Sequence, residues 1–262
     1  MKELIKRLQP YKTRLVVLLM FLLSCVIIVR QNQNHSLILE MINKQDTVKV
    51  ILCDTNCVQD IILPNNFNYA FTRLNAYNSR IDSSTVIKFL EVANEYCLDD
   101  IETLRWGIGQ ILLESGGKQF RRDGSLVLSN TGAIGIGQIL GSTALDMMNR
   151  RMDEHDEHIF YSLGATDFTF AYDNRYNKKE KVLMAKKWLA VENNNLVMWG
   201  YIMRNNINKK KTIISALISY NIGIGGFNNF LKAGNKGYEH EYIVLIRERI
   251  NYVERAVNDL SS

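Results

Sequence analysis

From residue 83 onward apolar side chains recur at steps of three and four, the spacing that lines one face of a helix. Ile101, Leu104, Ile108, Ile111 and Leu112 form such a stripe, with Asp99 and Asp100 as N-caps and Gly116-Gly117 as a stop. Val86, Phe89, Leu90, Ala93 and Cys97 form another behind Ser83 or Ser84, which places Cys97 in the core rather than at a reaction centre. Leu196, Trp199 and Met203, the run from 213 to 220, and Ile243, Ile246, Ile250, Val253 and Val257 predict further buried faces. Alternation of period two is scarce. A weak instance at 47–52 predicts a short strand, and residues 119–128 predict a hairpin turning at Asp123-Gly124. The expected fold class is mainly α with a small β-hairpin.

The segment before residue 83 is of another kind. Residues 15–29 are apolar apart from Ser24 and Cys25, between Arg14 and Arg30. As a helix they span about 22 Å at ~1.5 Å per residue, short of a hydrocarbon core of ~30 Å, with the two arginines able to snorkel outward. Basic residues lie mostly before the run, which keeps the N-terminus in the cytoplasm and exports the body. No small-x-small cleavage site follows, so a signal-anchor over residues 1–30 is the favoured reading. Leu22-Leu23-Ser24-Cys25 also resembles a lipobox with Cys25 acylated, against which the apolar stretch after Cys25 weighs. Residues 31–82 read as a tether and a poorly defined N-terminal region. Cys53 and Cys57 are compatible with a local disulfide or with two reduced thiols.

Charge excludes one class of partner. The first 30 residues hold six basic residues against Glu3 alone, which accounts for the whole formal charge of +5 and leaves 26 of each sign behind it. No basic body remains to track a phosphate backbone, so nucleic acid is not an expected partner.

Glu114 closes the 101–115 stripe. A helix C-terminus carries partial negative charge, and partial burial there favours the protonated carboxyl a general acid needs. Gly132, Gly135 and Gly137 follow at a spacing that lets another chain approach the backbone, and Gln138 ends the run with an amide. Asp123 is either a second carboxylate that activates water or simply turn chemistry. His155 and His158, three apart among acidic residues, lack a further motif to complete a metal shell and read as a solvated helix face. Tyr172 and Tyr176 are candidate sugar-stacking residues.

Glu114-Ser115, then Ser129-Asn130-Thr131-Gly132-Ala133-Ile134-Gly135-Ile136-Gly137-Gln138, then Asn195-Leu196 with Gly200-Tyr201, Ser219-Tyr220-Asn221-Ile222-Gly223, and Asn251-Tyr252-Val253 occur in that order. The succession resembles the catalytic domain of lytic transglycosylases, a goose-lysozyme-like family that cleaves peptidoglycan, and covers about residues 83–257. Gly137 stands where the family usually has Met, which would remove part of a groove wall, and Ser219 where it has Ala. The resemblance implies a lysozyme-like domain over 83–262, Glu114 as catalytic residue, and Ser115, Ser129, Gly132, Gln138, Tyr220, Asn221 and Tyr252 as substrate-binding residues. Tyr252 would supply the hydroxyl that hydrogen-bonds Glu114. The implied partners are glycan strands, the cytoplasmic membrane and a secretion or conjugation machine, with no cofactor or metal. Only Glu114 sits in a motif, so the implied chemistry is single-carboxylate formation of 1,6-anhydro ends. Lysozyme-type hydrolysis and an inert peptidoglycan-binding scaffold are the alternatives.

Overall fold

The computed structural model describes residues 49–54, 57–62, 66–79 and 81–259. The 15–29 segment, and with it the signal-anchor and Cys25 readings, lies outside these residues, as do the side chains of Cys53 and Cys57. No helix among the described residues is long and apolar enough to cross a membrane.

The chain divides into Met1–Leu63 and Pro64–Ser262. In the first unit, β1 (Lys49–Asp54) pairs antiparallel with β2 (Cys57–Ile62), Lys49 opposite Ile62 and Asp54 opposite Cys57.

The second unit is mainly helical: α1 (Phe67–Tyr77), α2 (Ser83–Glu95), α3 (Ile101–Ser115), α4 (Gly141–Arg151), α5 (Glu154–Ser162), α6 (Lys178–Leu189), α7 (Glu192–Lys210), α8 (Ile213–Lys232) and α9 (Glu241–Asp259). It begins earlier than residue 83. Phe67, Ala70, Phe71 and Leu74 of α1 are buried, and α1 packs on α9, α2 and α3, so residues expected to belong to a tether complete the core. An ion pair reinforces this closure: Arg73 Nε and Nη2 donate to Glu254 Oε1 and Oε2 of α9 at 3.0 and 2.8 Å.

α7 occupies the centre. Every residue from Asn194 to Met203 is buried, and a helix covered around its whole circumference has neighbours on all sides. Its Trp199 ring lies against Phe89 of α2, centroids 5.1 Å apart. α3 buries Leu104, Ile108, Ile111 and Leu112 as their spacing predicts, while Ile101 in its first turn stays exposed. Asp100 caps it by accepting from the Thr103 N–H at 3.0 Å. α2 is capped by Asp82, not by Ser83 or Ser84. α2 also ends at Glu95, before the stripe reaches Cys97. Cys97 turns out at φ 52° and is exposed, with Tyr96 and Leu98 buried on either side.

α9 crosses α3 in contact with its backbone. A Cβ on Gly109 would lie 2.6 Å from Ile250 Cγ1 and 2.9 Å from Ile246 Cγ2, closer than carbon atoms approach. Residues 119–128 fold back through Asp123-Gly124 without forming regular strands. The Arg121 N–H donates to the Ser125 carbonyl at 2.7 Å and that of Val127 to Gln119 at 3.0 Å, around one Phe120–Leu126 bridge. α8 contains a kink at Gly223, whose φ of 73° and ψ of 160° leave the helical region.

Gly109→Val should force α9 off α3 and cost about 1–3 kcal/mol of stability by overpacking. Urea denaturation would show this as a lower midpoint at unchanged slope.

Candidate active site

Glu114 sits in the last turn of α3, which Gly116 closes at φ 66°. The side chain is half-buried, and that burial raises its pKa above the ordinary carboxylate value. One bond works in the other direction: the Tyr242 hydroxyl donates to Glu114 Oε1 at 2.5 Å and favours the ionised form. Burial and the Glu114 charge together hold Tyr242 well above its ordinary value, so it keeps its proton at any physiological pH. Behind it, the Gln110 Nε2 amide donates to the Tyr242 oxygen at 3.3 Å, and the Trp199 indole donates to Gln110 Oε1 at 3.0 Å.

In front of Glu114 lies a cavity of about 210 Å³, to whose wall Ser129, Thr131, Gln138, Thr143, Tyr220 and Asn221 contribute. Tyr220 is fixed by donating its hydroxyl to the Gly137 carbonyl at 2.6 Å, and burial keeps it neutral. A second cavity, bordered by Tyr176, Asp146, Lys178 and Lys181, shares Thr143 with the first.

Two buried amides hold the glycine run. Gln119 Oε1 accepts the Ile136 N–H at 2.8 Å while its Nε2 donates to the Leu189 and Ala190 carbonyls at 3.0 Å. Asn195 Oδ1 accepts the Gly137 N–H at 2.8 Å, and its Nδ2 donates to the carbonyls of Ile134 and Leu189 at 2.8 and 3.1 Å. Gly135 is required by the first amide: at φ 70°, a Cβ there would fall 2.1 Å from Gln119 Oε1.

The structure brings Glu114, Ser129, Gln138, Tyr220 and Asn221 to one cavity. It separates others from it. Ser115 ties α3 to the glycine run, donating to the carbonyls of Ile111 and Ile136 at 3.2 and 2.8 Å. Gly132 forms a turn at φ 80° beside the Lys186 side chain. Gln138 borders the cavity, but its amide nitrogen donates to the Gly135 carbonyl at 2.8 Å instead of pointing outward. Position 137 faces inward, where a Cβ would meet Asn195 and Trp199, so its missing side chain seats the loop on α7 and removes no groove wall.

Tyr252 is not the partner of Glu114. It is half exposed and meets Tyr77 edge-on with centroids 5.7 Å apart. Tyr242 precedes it by ten residues, about 15 Å along a helix. The sequence carries a sign of this: Tyr242, Ile246, Ile250 and Val253 share one stripe at steps of four, four and three. Gln110, a polar residue among the apolar positions of α3, was the other overlooked signal.

Asp123 sits in an exposed turn, where the Ser125 N–H and hydroxyl both donate to Oδ1 and hold its pKa below the ordinary value. It does not border the cavity. Tyr172 is engaged with the Met148 carbonyl at 3.0 Å. Near His155 and His158, Asp153 and Asp156 form the capping box of α5, and no three-residue metal-ligand cluster occurs among the described residues. Compared with known protein families, curated proteins and solved structures, the chain matches none.

Because its folded pKa is raised, Glu114 holds its proton to higher pH in the folded protein than in the unfolded chain. Its contribution to stability is therefore full below the ordinary carboxyl range and is lost as pH rises through the folded value. Glu114→Gln keeps an acceptor for Tyr242 and carries no charge. The variant should be more stable than its parent at pH 7 and no more stable at about pH 3, as read from urea midpoints.

Proposed function

We propose that this chain is a membrane-anchored lytic transglycosylase whose lysozyme-like domain cleaves the MurNAc–GlcNAc β-1,4 bond of peptidoglycan. The observation that carries the reading is a half-buried carboxyl with a raised pKa, the one carboxyl among the described residues that line the cavity. The ordered motifs that resemble the family supply the substrate class, and seven of their residues line that cavity: Glu114, Ser129, Thr131, Ala133, Gln138, Tyr220 and Asn221.

The chemistry follows from a single carboxyl. Protonated Glu114 gives its proton to the bridging oxygen as the bond from MurNAc C1 to that oxygen breaks. The substrate's acetamido oxygen shares the positive charge developing at C1, an accepted departure from the two-carboxylate rule. Glu114, now ionised and stabilised by the Tyr242 hydroxyl, takes the proton of the C6 hydroxyl while O6 closes on C1. The carboxyl ends as it began, and the strand acquires a 1,6-anhydro-MurNAc end without water. In this reading Asn221 and Ser129 hold the sugars from the cavity wall, and the Tyr220 ring and Gln138 shape it.

An anchor at residues 15–29 would confine cutting to the membrane face of the wall, suited to an envelope machine that needs a local opening. Hydrolysis driven by Asp123 has less support, because that carboxylate is engaged with Ser125 at an exposed turn.

Purified peptidoglycan treated with the full chain should release muropeptides one water lighter than lysozyme products, by mass spectrometry. Glu114→Gln should release none. Reducing ends would establish hydrolysis instead. Binding without release by either protein would establish a scaffold.

A further inference from the structure

The chain of bonds behind Glu114 has a direction, and one residue sets it. An indole N–H donates and cannot accept. The Trp199 indole therefore demands the carbonyl end of Gln110, 3.0 Å away, which turns the amide nitrogen toward the Tyr242 oxygen. The Tyr242 oxygen then already faces a donor, so its single proton is left for Glu114. Were the amide reversed, its carbonyl would accept the tyrosine proton and Glu114 would lose its donor. Nothing in Gln110 itself prefers one orientation, since the two ends of an amide are nearly the same size. Burial makes the orientation binding: Gln110 is fully buried and Trp199 and Tyr242 nearly so, and a reversed amide would set its nitrogen against the indole N–H, leaving buried donors unpaired.

We propose that Trp199 and Gln110 are positioning residues for the acid of this site: the indole fixes the amide, and the amide commits the Tyr242 hydroxyl to Glu114. The assignment rests on the catalytic reading for its purpose and on bond geometry for its content. Neither residue borders the cavity, and both act through Tyr242. The groups that face Glu114 are Tyr242 from α9, Tyr220 and Asn221 from α8, and Ser129, Thr131 and Gln138 from the glycine loop. Among the described residues, no lysine, arginine or histidine borders the cavity to compete with the relay.

The test titrates the Glu114 carboxyl directly, by NMR of the full chain in detergent with ¹³C at the glutamate carboxyls. The resonance is identified by its loss in Glu114→Gln. Trp199→Phe keeps a ring against Phe89 but frees the amide to reverse, and should raise the titration midpoint of Glu114 by about one pH unit. Gln110→Met removes the donor and the competing acceptor together. Tyr242 then has only Glu114 to donate to, and the midpoint should stay within about a few tenths of a unit of the parent. Tyr242→Phe should raise the midpoint, and adding Trp199→Phe to it should move it no further. In the unaltered protein the Trp199 indole N–H signal should follow the Glu114 titration, and in Glu114→Gln it should be flat over the same range.

Equal shifts in Trp199→Phe and Gln110→Met would overturn the proposal, as would an unmoved midpoint in Trp199→Phe. A flat indole signal in the parent would do the same, without any variant having to fold. The readout needs no turnover, so inertness toward peptidoglycan would remove the functional reading and leave this one standing.

Discussion

The hydrogen bond from Tyr242 to Glu114 joins two helices that meet this closely because residue 109 has no side chain. Ile246 and Ile250 of α9 rest on the bare backbone of α3, and that seating carries Tyr242, one turn earlier, to the end of α3 where Glu114 stands. Two influences then oppose each other at the carboxyl. Burial resists its charge, and the tyrosine proton accommodates it. The proposed reaction has this carboxyl give up a proton and take one back, and the two opposed influences suit both steps.

Polar groups in the interior supply the rest of the precision. Gln119 and Asn195 spend nearly all their hydrogen-bonding capacity on the glycine run and on the junction between α6 and α7. A loop of small residues has no side chains with which to pack itself, so it takes its shape from amides presented by its neighbours. Such amides are costly to bury unpaired. The same cost discourages other loop shapes, and the cavity wall inherits that rigidity.

The helices were legible because their signal is local. The stripes of α2, α3, α7 and α9 and the glycine stop after Ser115 all lie within a few turns of sequence. Glu114 was legible for the same reason, as the last carboxylate before a stop. The supporting residues were not. Gln119 reaches carbonyls 70 and 71 residues away, and Tyr242 reaches Glu114 across 128. No short pattern announces such pairs. Tyr252 carries the matched tyrosine–valine pair, but it lies beside the buried stripe of Tyr242, Ile246, Ile250 and Val253. Gly137 is a second case, since an absent side chain tells nothing of the direction in which it would have pointed.

α9 has two duties, and they fall due together. Its Tyr242 completes the acid's surroundings, and its Glu254 clasps Arg73 of α1 across 181 residues of intervening chain. Contacts so distant in sequence return no free energy until a large loop has closed. A nascent chain halted before Glu241 would hold Glu114 on an α3 with neither its tyrosine nor its covering helix. Glu114 thus lacks its hydroxyl partner until the domain has closed upon itself.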